Sequence, residues 1–226
     1  MSAAWPRVVT FDCYGTLVQW PEALKACFRA LLPPGADVDA FHRAFAAEHA
    51  ARRAGVFCPY GEILREALSA ALRSGGYPEP GGAGERLLRD ISDIPPYPEV
   101  PQALARLAGH CRLAIISNTE DVLIAATVRG LGAPFTVFTA EQARAYKPDH
   151  RVFRYAFDQI GCSADDVLHV GAGYATDMVP AFEMSLARVW INRRGEAADP
   201  RRPPTRELPD LARLPELVGE LQAERA

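Results

Sequence analysis

The sequence predicts an α/β protein whose parallel sheet carries a helical insert after its first strand. Residues 8–11 form a short β-branched and aromatic run that is typical of a strand. Residues 19–94 contain helical patterns and no strand, whereas apolar strands alternate with helices from residue 95 onward. We therefore predict a core made of residues 1–18 and 95–226 and a small helical cap domain made of residues 19–94.

The elements follow from the spacing of apolar residues and from the positions of Pro and Gly. A period near 3.6 predicts helices, and short continuous apolar runs between them predict buried strands. In the cap the predicted helices are residues 21–32, 38–53, 60–72 and 85–90. In the second half the predicted strands are residues 113–116, 135–138, 167–170 and 187–191, separated by helices at 100–108, 122–131, 151–160 and 179–184. Residues 201–204 are a predicted loop, and a short terminal helix is predicted within residues 203–226.

The composition indicates an ordinary globular protein. The chain has 226 residues, of which 49% are hydrophobic and 23% charged. A net charge of -3 with scattered arginines argues against a nucleic-acid partner, and no apolar run reaches the length of a membrane span. The five cysteines are odd in number and widely spaced, which disfavours a disulfide framework and a zinc site. With no signal peptide recognised at the N-terminus, a cytoplasmic protein is expected.

Polar residues follow four of the predicted strands. Asp12 follows the first, Ser117 and Asn118 the second, Lys147 lies beyond the third and Asp177 beyond the fourth. Parallel strands end at one edge of a sheet, where ligands bind. A carboxylate among hydroxyl, amide and ammonium groups suits covalent catalysis with Asp12 as nucleophile. Each residue alone has a structural explanation, such as a cap or a turn, but their recurrence at successive strand ends favours a site.

These segments resemble four ordered motifs of the haloacid dehalogenase superfamily. The matching segments are residues 11–17, 116–118, 146–149 and 170–177, and the resemblance covers residues 7 to 195 approximately. It implies a Rossmann-like core with Asp12 as nucleophile. It also implies that Thr16 and Ser117 are positioning groups and that Lys147 is a buried cation.

Tyr14 indicates which reaction the resemblance implies. Phosphatases of the superfamily carry an acid two residues after the nucleophile, because an alkoxide leaving group needs a proton. A halide needs none, and Asp-x-Tyr-Gly-Thr resembles the L-2-haloacid dehalogenase (type II) branch. In that branch the aspartate displaces halide from the α-carbon, and water then hydrolyses the ester. Residues 190–195 are also similar to this branch.

The fourth motif lacks one acid of the phosphatase pattern. Phosphatases commonly show Gly-Asp-x4-Asp with the first acid on magnesium, and this chain has Ala172 in its place. With one carboxylate fewer, Mg²⁺ would be poorly supplied with oxygen ligands. We therefore expect neither a metal nor an organic cofactor.

Two departures from the dehalogenase branch concern water activation and substrate binding. The dehalogenases carry serine and asparagine in the fourth motif, one residue closer to its aspartate, where this chain has glycines and an alanine. They also carry a tyrosine at the position of Phe153. Tyr174, Thr176 or His169 are candidate replacements, although a histidine inside an apolar strand is typical of a core. Tyr14 and Tyr174 are predicted substrate-binding residues.

Arg43 is the predicted halide-binding residue. It best matches the arginine of the family's cap, because Glu48 follows at the same spacing; a surface ion pair is the alternative. Arg52 and Arg53 are expected to be solvated. Lys147 is one of only two lysines among 25 basic residues, which suggests that its position requires a compact charge.

The sequence thus predicts a hydrolytic dehalogenase acting on small 2-halo carboxylates through an aspartyl ester. Asn118, together with Thr16 and Ser117, is expected to bind the substrate carboxylate, while Lys147 and Asp177 hold the nucleophile. Two alternatives stay open. One is a Mg-dependent small-molecule phosphohydrolase of the same superfamily, and the other is a non-catalytic binding or regulatory protein. Because related enzymes are often dimers, a homodimer is expected by analogy.

Overall fold

The first strand lies near the middle of a parallel sheet. A computed structural model describes residues 5–225 of the chain. The strands are β1 (Val8–Phe11), β2 (Arg112–Ser117), β3 (Thr136–Thr139), β4 (Val167–Gly171), β5 (Ala187–Ile191) and β6 (Arg206–Leu208). In this part of the chain all six are parallel and stand in the order β3-β2-β1-β4-β5-β6. The predicted α/β fold with a parallel sheet is confirmed.

Helices cover both faces of the sheet. Successive side chains of β1 point to opposite faces, and Val8 and Val9 accordingly belong to two different apolar clusters. The core helices are α5 (Val100–Leu107), α6 (Asp121–Gly130), α7 (Ala140–Ala143), α8 (His150–Ile160), α9 (Val179–Glu183) and α10 (Leu214–Arg225). Because β1 is buried on both faces, a substrate can reach it only at its ends.

Four helices between β1 and α5 pack on one another, and we call them the cap. They are α1 (Trp20–Leu31), α2 (Val38–Arg53), α3 (Tyr60–Ser74) and α4 (Ala83–Ile91). Their apolar faces meet in an aromatic centre, where the ring centroid of Phe28 lies 4.9 Å from that of Phe41 and 5.1 Å from that of Phe45. Aromatic contacts of this kind bury a large apolar area and hold α1 against α2.

The two segments that join the cap to the core run side by side. Val18 and Pro96 form a β-bridge, and the amide of Tyr97 donates to the carbonyl of Leu17 at 3.0 Å. The amide of Gln19 donates to the carbonyl of residue 95 at 3.1 Å. The chain therefore leaves and re-enters the core at one place. The predicted domain boundaries at residues 18/19 and 94/95 stay a prediction, and residues 1–4 and 226 lie outside the described part.

Three local features differ from the sequence prediction. β6 was not predicted, because its three residues, Arg-Glu-Leu, contain no apolar run. The short helix α7 and a π-helical turn at Tyr174–Met178 were also missed. The terminal helix is present as α10.

Within residues 5–225, no helix combines the length and the apolarity that crossing a membrane requires.

Candidate active site

Asp12 stands at the carboxyl end of β1, on a tight turn. Its amide donates to the carbonyl of Val170 at 2.9 Å, which continues the pairing with β4 by one residue. Gly15 then adopts a φ of +86°, a conformation that side-chain-bearing residues avoid. The turn brings Thr16 back, so that its hydroxyl donates to Asp12 Oδ2 at 2.8 Å. The Asp12 side chain keeps 13% of its surface exposed, which leaves it open to a substrate.

Lys147 lies behind Asp12 and has three acceptors. Its Nζ donates to Asp12 Oδ1 at 2.9 Å, to Asp177 Oδ1 at 2.6 Å and to the carbonyl of Ile116 at 2.9 Å. These three bonds use all three protons of the ammonium group. The Lys147 side chain is only 1% exposed, so one buried cation holds both carboxylates.

The pKa values of this cluster reflect burial and charge together. Burial raises the pKa of Asp12, although the Lys147 ammonium opposes the effect. Burial also opposes ionisation of Asp177, but Lys147 and His169 outweigh it and hold the pKa of that carboxyl well below its usual range. For Lys147, burial alone would lower the pKa, and the two carboxylates raise it instead. Lys147 is therefore protonated at neutral pH.

Asp177 is positioned by the π-helical turn at Tyr174–Met178. The amides of Asp177 and Met178 both donate to the carbonyl of Gly173, at 2.8 and 3.3 Å. A π-turn holds one residue more than an α-turn, so it accommodates the long spacing between β4 and this aspartate. The Asp177 side chain packs directly against the backbone of Gly171 and Gly173. A Cβ on Gly173 would lie 2.5 Å from its Oδ2, and one on Gly171 would lie 2.7 Å from its Cβ.

His169 lies behind Asp177, on β4. Its Nδ1 is 2.9 Å from the hydroxyl of Thr10, and its Nε2 is 3.3 Å from Asp177 Oδ1. The side chain is fully buried. The expected core position is correct, and the ring also connects the sheet interior to the catalytic cluster.

Two hydroxyl groups beside this cluster have no partner. Among residues 5–225, neither the buried Oγ of Ser117 nor the buried Oγ1 of Thr119 makes a hydrogen bond. Buried polar atoms are usually paired, so these two hydroxyls are donors available to a polar group at this edge. Ser117 was predicted from its strand end. Thr119 was missed, although it lies only two residues further along.

The side chain of Asn118 is bonded to the backbone of Lys147. Its Oδ1 accepts from the amide of Lys147 at 2.6 Å, and its Nδ2 donates to the carbonyl of the same residue at 3.1 Å. The side chain therefore clamps the backbone of Lys147. These two bonds support a positioning role for Asn118 on Lys147, and its contact with substrate stays a prediction.

Tyr14 lies between the catalytic turn and the cap. Its ring centroid is 4.9 Å from that of Trp20, and its hydroxyl is 3.5 Å from the carbonyl of Leu123. Burial raises the pKa of this phenol above its ordinary value. With Gly173 and His42 it lines a cleft of about 730 Å³ that opens to solvent between the cap and the core. A small substrate can approach the catalytic edge through this cleft.

The surroundings of Tyr174 and Arg43 bear on two further predictions, which stay predictions. The hydroxyl of Tyr174 donates to the carbonyl of Arg202 at 2.8 Å and accepts from the amide of Asp199 at 2.9 Å. The hydroxyl of Tyr174 therefore anchors a surface loop. Arg43 is exposed on α2. Its charge acts on Asp39, a carboxylate whose pKa is lowered chiefly by its hydrogen bond to Lys25.

The arrangement offers few ligands for a metal ion. Among the residues that the structure describes, no three His, Cys, Asp or Glu side chains converge as metal ligands. The two carboxylates closest to the reacting position, Asp12 and Asp177, already share the ammonium of Lys147. The carboxylates of Asp12 and Asp177 therefore fit the ammonium group of Lys147 as their cation.

A capped parallel sheet with a buried carboxylate and ammonium cluster at its carboxyl edge defines the class of protein. The model of the haloacid dehalogenase-like hydrolase family matches residues 6–182, and the chain belongs to this family.

Individual relatives are also similar over most of their length. The (S)-2-haloacid dehalogenase 4A of Burkholderia cepacia is 28% identical over 199 residues, which cover 84% of each chain. The (S)-2-haloacid dehalogenase of Xanthobacter autotrophicus is 30% identical over 193 residues, or 81% of this chain and 74% of that one. The solved L-2-haloacid dehalogenase from Xanthobacter autotrophicus with chloropropionic acid covalently bound has a TM-score of 0.82 at 21% identity, over 94% of this chain and 98% of that one. The last comparison shows the shared fold.

Proposed function

We propose that the protein is a hydrolytic dehalogenase that acts on small 2-halo carboxylates through an ester on Asp12. The observation that carries this proposal is the contact of Asp12 with Lys147 and Thr16, which fixes both carboxylate oxygens; the neighbouring Tyr14 and Gly15 line an accessible cleft. The names of the curated relatives support the choice of substrate. Because Lys147 supplies the positive charge, the reaction is proposed to need neither a metal nor an organic cofactor.

The first half of the reaction is a displacement. An oxygen of Asp12 forms a bond to the α-carbon of the substrate while the carbon–halogen bond breaks, and the electron pair leaves with the halide. No proton moves in this step. The step therefore does not require an acid two residues after Asp12. This chain has Tyr14 at that position, and burial makes its phenol a poor proton donor.

The substrate carboxylate is proposed to accept hydrogen bonds from Ser117 and Thr119. Both hydroxyls are buried and lack a partner among residues 5–225; Ser117 ends β2 and Thr119 follows it, at the edge where Asp12 stands. A bound carboxylate would satisfy the two donors at once. It would also orient the α-carbon toward Asp12.

The second half is ester hydrolysis. Water adds to Cγ of the Asp12 ester, the bond from this carbon to the ester oxygen breaks, and the 2-hydroxy carboxylate leaves with a proton. Asp12 ionises again and releases one proton to solvent. Lys147 is placed to stabilise the charge that develops on the remaining oxygen, and Asp177 keeps Lys147 in position.

The direct test is halide release in EDTA. Purified protein is incubated with (S)-2-chloropropionate or chloroacetate, and single turnover in ¹⁸O-labelled water should place the label on Asp12. Asp12→Asn should release no halide, whereas Asp90→Asn, at an exposed carboxylate paired with Arg86, should behave as wild type. If wild type released no halide from either acid and matched Asp12→Asn, the proposal would be wrong.

The same assay distinguishes the alternatives. A phosphohydrolase would release phosphate from a small phosphoester only with magnesium. A binding protein would show a thermal shift with a small carboxylate and no turnover. The homodimer and the cytoplasmic location stay predictions, which light scattering and cell fractionation can check.

A further inference from the structure

The segment at the end of β5 contacts both catalytic loops. It comprises residues 190–195, whose sequence is similar to the L-2-haloacid dehalogenase branch. The indole Nε1 of Trp190 donates to the carbonyl of Ala172, in the loop after β4, at 3.1 Å. The guanidinium of Arg193 donates to the carbonyl of Thr16, in the loop after β1, at 2.9 Å. One segment therefore holds the backbone of the two loops that carry the catalytic carboxylates.

Arg193 is held by three groups at the base of the cap. Its guanidinium carbon lies 3.6 Å from the ring centroid of Tyr97, a cation–π contact. Its Nη2 donates to Glu99 Oε1 at 2.7 Å as well as to the carbonyl of Thr16. The side chains of Arg193 and Glu99 are only 17% and 20% exposed, so solvent ions screen this pair weakly. The guanidinium is therefore fixed in one position.

Two of these groups belong to the segment by which the chain returns from the cap. The amide of Tyr97 donates to the carbonyl of Leu17 at 3.0 Å, and its hydroxyl donates to Glu22 of α1 at 3.4 Å. Glu99 follows two residues later and precedes α5. The position of Arg193 thus depends on the returning segment as well as on β5.

Thr16 transmits this position to the nucleophile. Its hydroxyl donates to Asp12 Oδ2 at 2.8 Å and accepts from the amide of Ala172 at 2.8 Å. Within residues 5–225, no group other than the guanidinium of Arg193 donates to the carbonyl of Thr16. The hydroxyl keeps its geometry only while this backbone stays in place, and a shift of about 1 Å at a reacting group can lower a rate about a hundredfold.

We propose that Arg193 is a positioning residue for the nucleophile: it holds the backbone of Thr16, so that the Thr16 hydroxyl keeps the Asp12 carboxylate in its attacking orientation. The inference rests on the proposed function. Arg193 acts through Thr16 and takes no part in bond making or breaking. Its loss should therefore slow ester formation and leave the binding of the substrate carboxylate, proposed for Ser117 and Thr119, unchanged.

The test measures the first turnover of halide release from saturating (S)-2-chloropropionate, because this step reports ester formation. In Arg193→Met the rate should fall at least about tenfold, as expected when a hydrogen bond from a charged group is lost. Arg193→Lys should regain part of the loss, since an ammonium group can still donate to Thr16. The half-saturating substrate concentration should stay within about twofold of wild type in both variants.

A double-mutant cycle with Thr16→Val separates positioning from a general loss of structure. Valine keeps the backbone carbonyl and nearly the shape of threonine, and Lys147 still holds the other oxygen of Asp12, so residual activity is expected. If Arg193 acts through the Thr16 hydroxyl, Arg193→Met should lower the rate less than about threefold in the Thr16→Val background. A merely structural effect would instead lower the rate by the same factor in both backgrounds. The same cycle is run with Arg193→Lys, which retains a cation beside Glu99.

Two control variants address the ion pair and folding. Arg106→Met breaks a pair of the same length, 2.7 Å to Glu216, which joins α5 to α10, and should keep the wild-type rate. Glu99→Gln weakens the ion pair of Arg193 but leaves the carbonyl of Thr16 to it. This variant should melt at a lower temperature and keep its first-turnover rate within about threefold of wild type. Rates are compared at a temperature at which every variant is folded.

Two kinds of result would overturn the assignment of Arg193. One is an unchanged first-turnover rate in Arg193→Met, or a loss that persists in full in the Thr16→Val background. The other is a rise in the half-saturating concentration at an unchanged rate, which would assign Arg193 to substrate binding. Failure of the proposed function is distinguishable, because wild type itself would then release no halide.

Discussion

His169 Nε2 lies 3.3 Å from Asp177 Oδ1, the oxygen that also accepts a hydrogen bond from Lys147 Nζ at 2.6 Å. The other ring nitrogen of His169 meets the hydroxyl of Thr10 at 2.9 Å. A fully buried chain of polar groups thus runs from the sheet interior to the catalytic cluster. Networks of this kind fix geometry when every member is paired, and they are costly when one member is lost.

Replacing His169 by Leu should destabilise the protein. The substitution leaves the Thr10 hydroxyl and one lone pair of Asp177 without their partner, which costs about 1–3 kcal/mol of unfolding free energy. Urea unfolding measures this loss. The double variant Thr10→Val with His169→Leu should recover part of it, because both ends of one buried bond are then removed. Equal stability of His169→Leu and wild type would contradict the prediction.

Replacing Lys147 by Met should have a larger effect. It leaves two buried carboxylates facing each other without a cation, and breaking a buried pair in this way costs about 3–5 kcal/mol. The chain offers a matched control in Lys25, which pairs with Asp39 at the surface. Lys25→Met should change the unfolding free energy by less than about 1 kcal/mol. Similar losses of unfolding free energy in Lys147→Met and Lys25→Met would contradict the prediction.

Gly173→Ala should displace Asp177. The added methyl group would clash first with Thr176 Oγ1 and would lie 2.5 Å from Asp177 Oδ2, so the Thr176 side chain, the carboxylate or the π-turn must move. We expect a loss of about 1–3 kcal/mol in unfolding free energy and a marked fall in kcat. The control is Gly219→Ala in α10, where a Cβ meets no atom within 4 Å. That variant should keep wild-type activity and gain up to about 1 kcal/mol from helix propensity.

His49 should make stability depend on pH. Its pKa is about 3 in the folded protein against an ordinary value of 6.5, so between these values the unfolded chain binds more protons than the folded one. The stability contributed by neutral His49 is therefore complete above pH 6.5 and declines as the pH falls toward 3. Between pH 7 and 5, wild type should lose about 2 kcal/mol relative to His49→Gln in urea unfolding. A constant difference between the two proteins across this range would contradict the assignment.

The sequence allowed the catalytic cluster to be predicted because of a property of parallel sheets. Asp12, Ser117, Lys147 and Asp177 are far apart along the chain, but each follows a strand, and strands of one parallel sheet end at the same edge. The same argument could not reveal what each side chain contacts. Asn118 was assigned to the substrate, and the structure shows it bonded to the backbone of Lys147.

The cap was less predictable than the sheet edge. Arg43 and Arg53 lie on one helix, and the sequence alone does not say which face of that helix points to the core. A match of spacing favoured Arg43, and Arg52 and Arg53 were expected to be solvated; the structure buries the Nε of Arg53 instead. Likewise, nothing in the pattern distinguishes a π-turn from an α-turn, so Tyr174 was assigned to the cleft although its hydroxyl anchors residues 199–202.

The paired segments at the base of the cap have a consequence for engineering. Since the chain leaves and re-enters the core at paired segments, the two covalent junctions of an exchanged cap would lie side by side. The contacts of Gly61 with Glu120 and of Cys58 with Tyr146 would also have to be matched. The nucleophile, Lys147 and Asp177 would stay on the recipient. The cap is thus encoded by one continuous segment of the gene, between the codons for Asp12 and for the rest of the catalytic cluster.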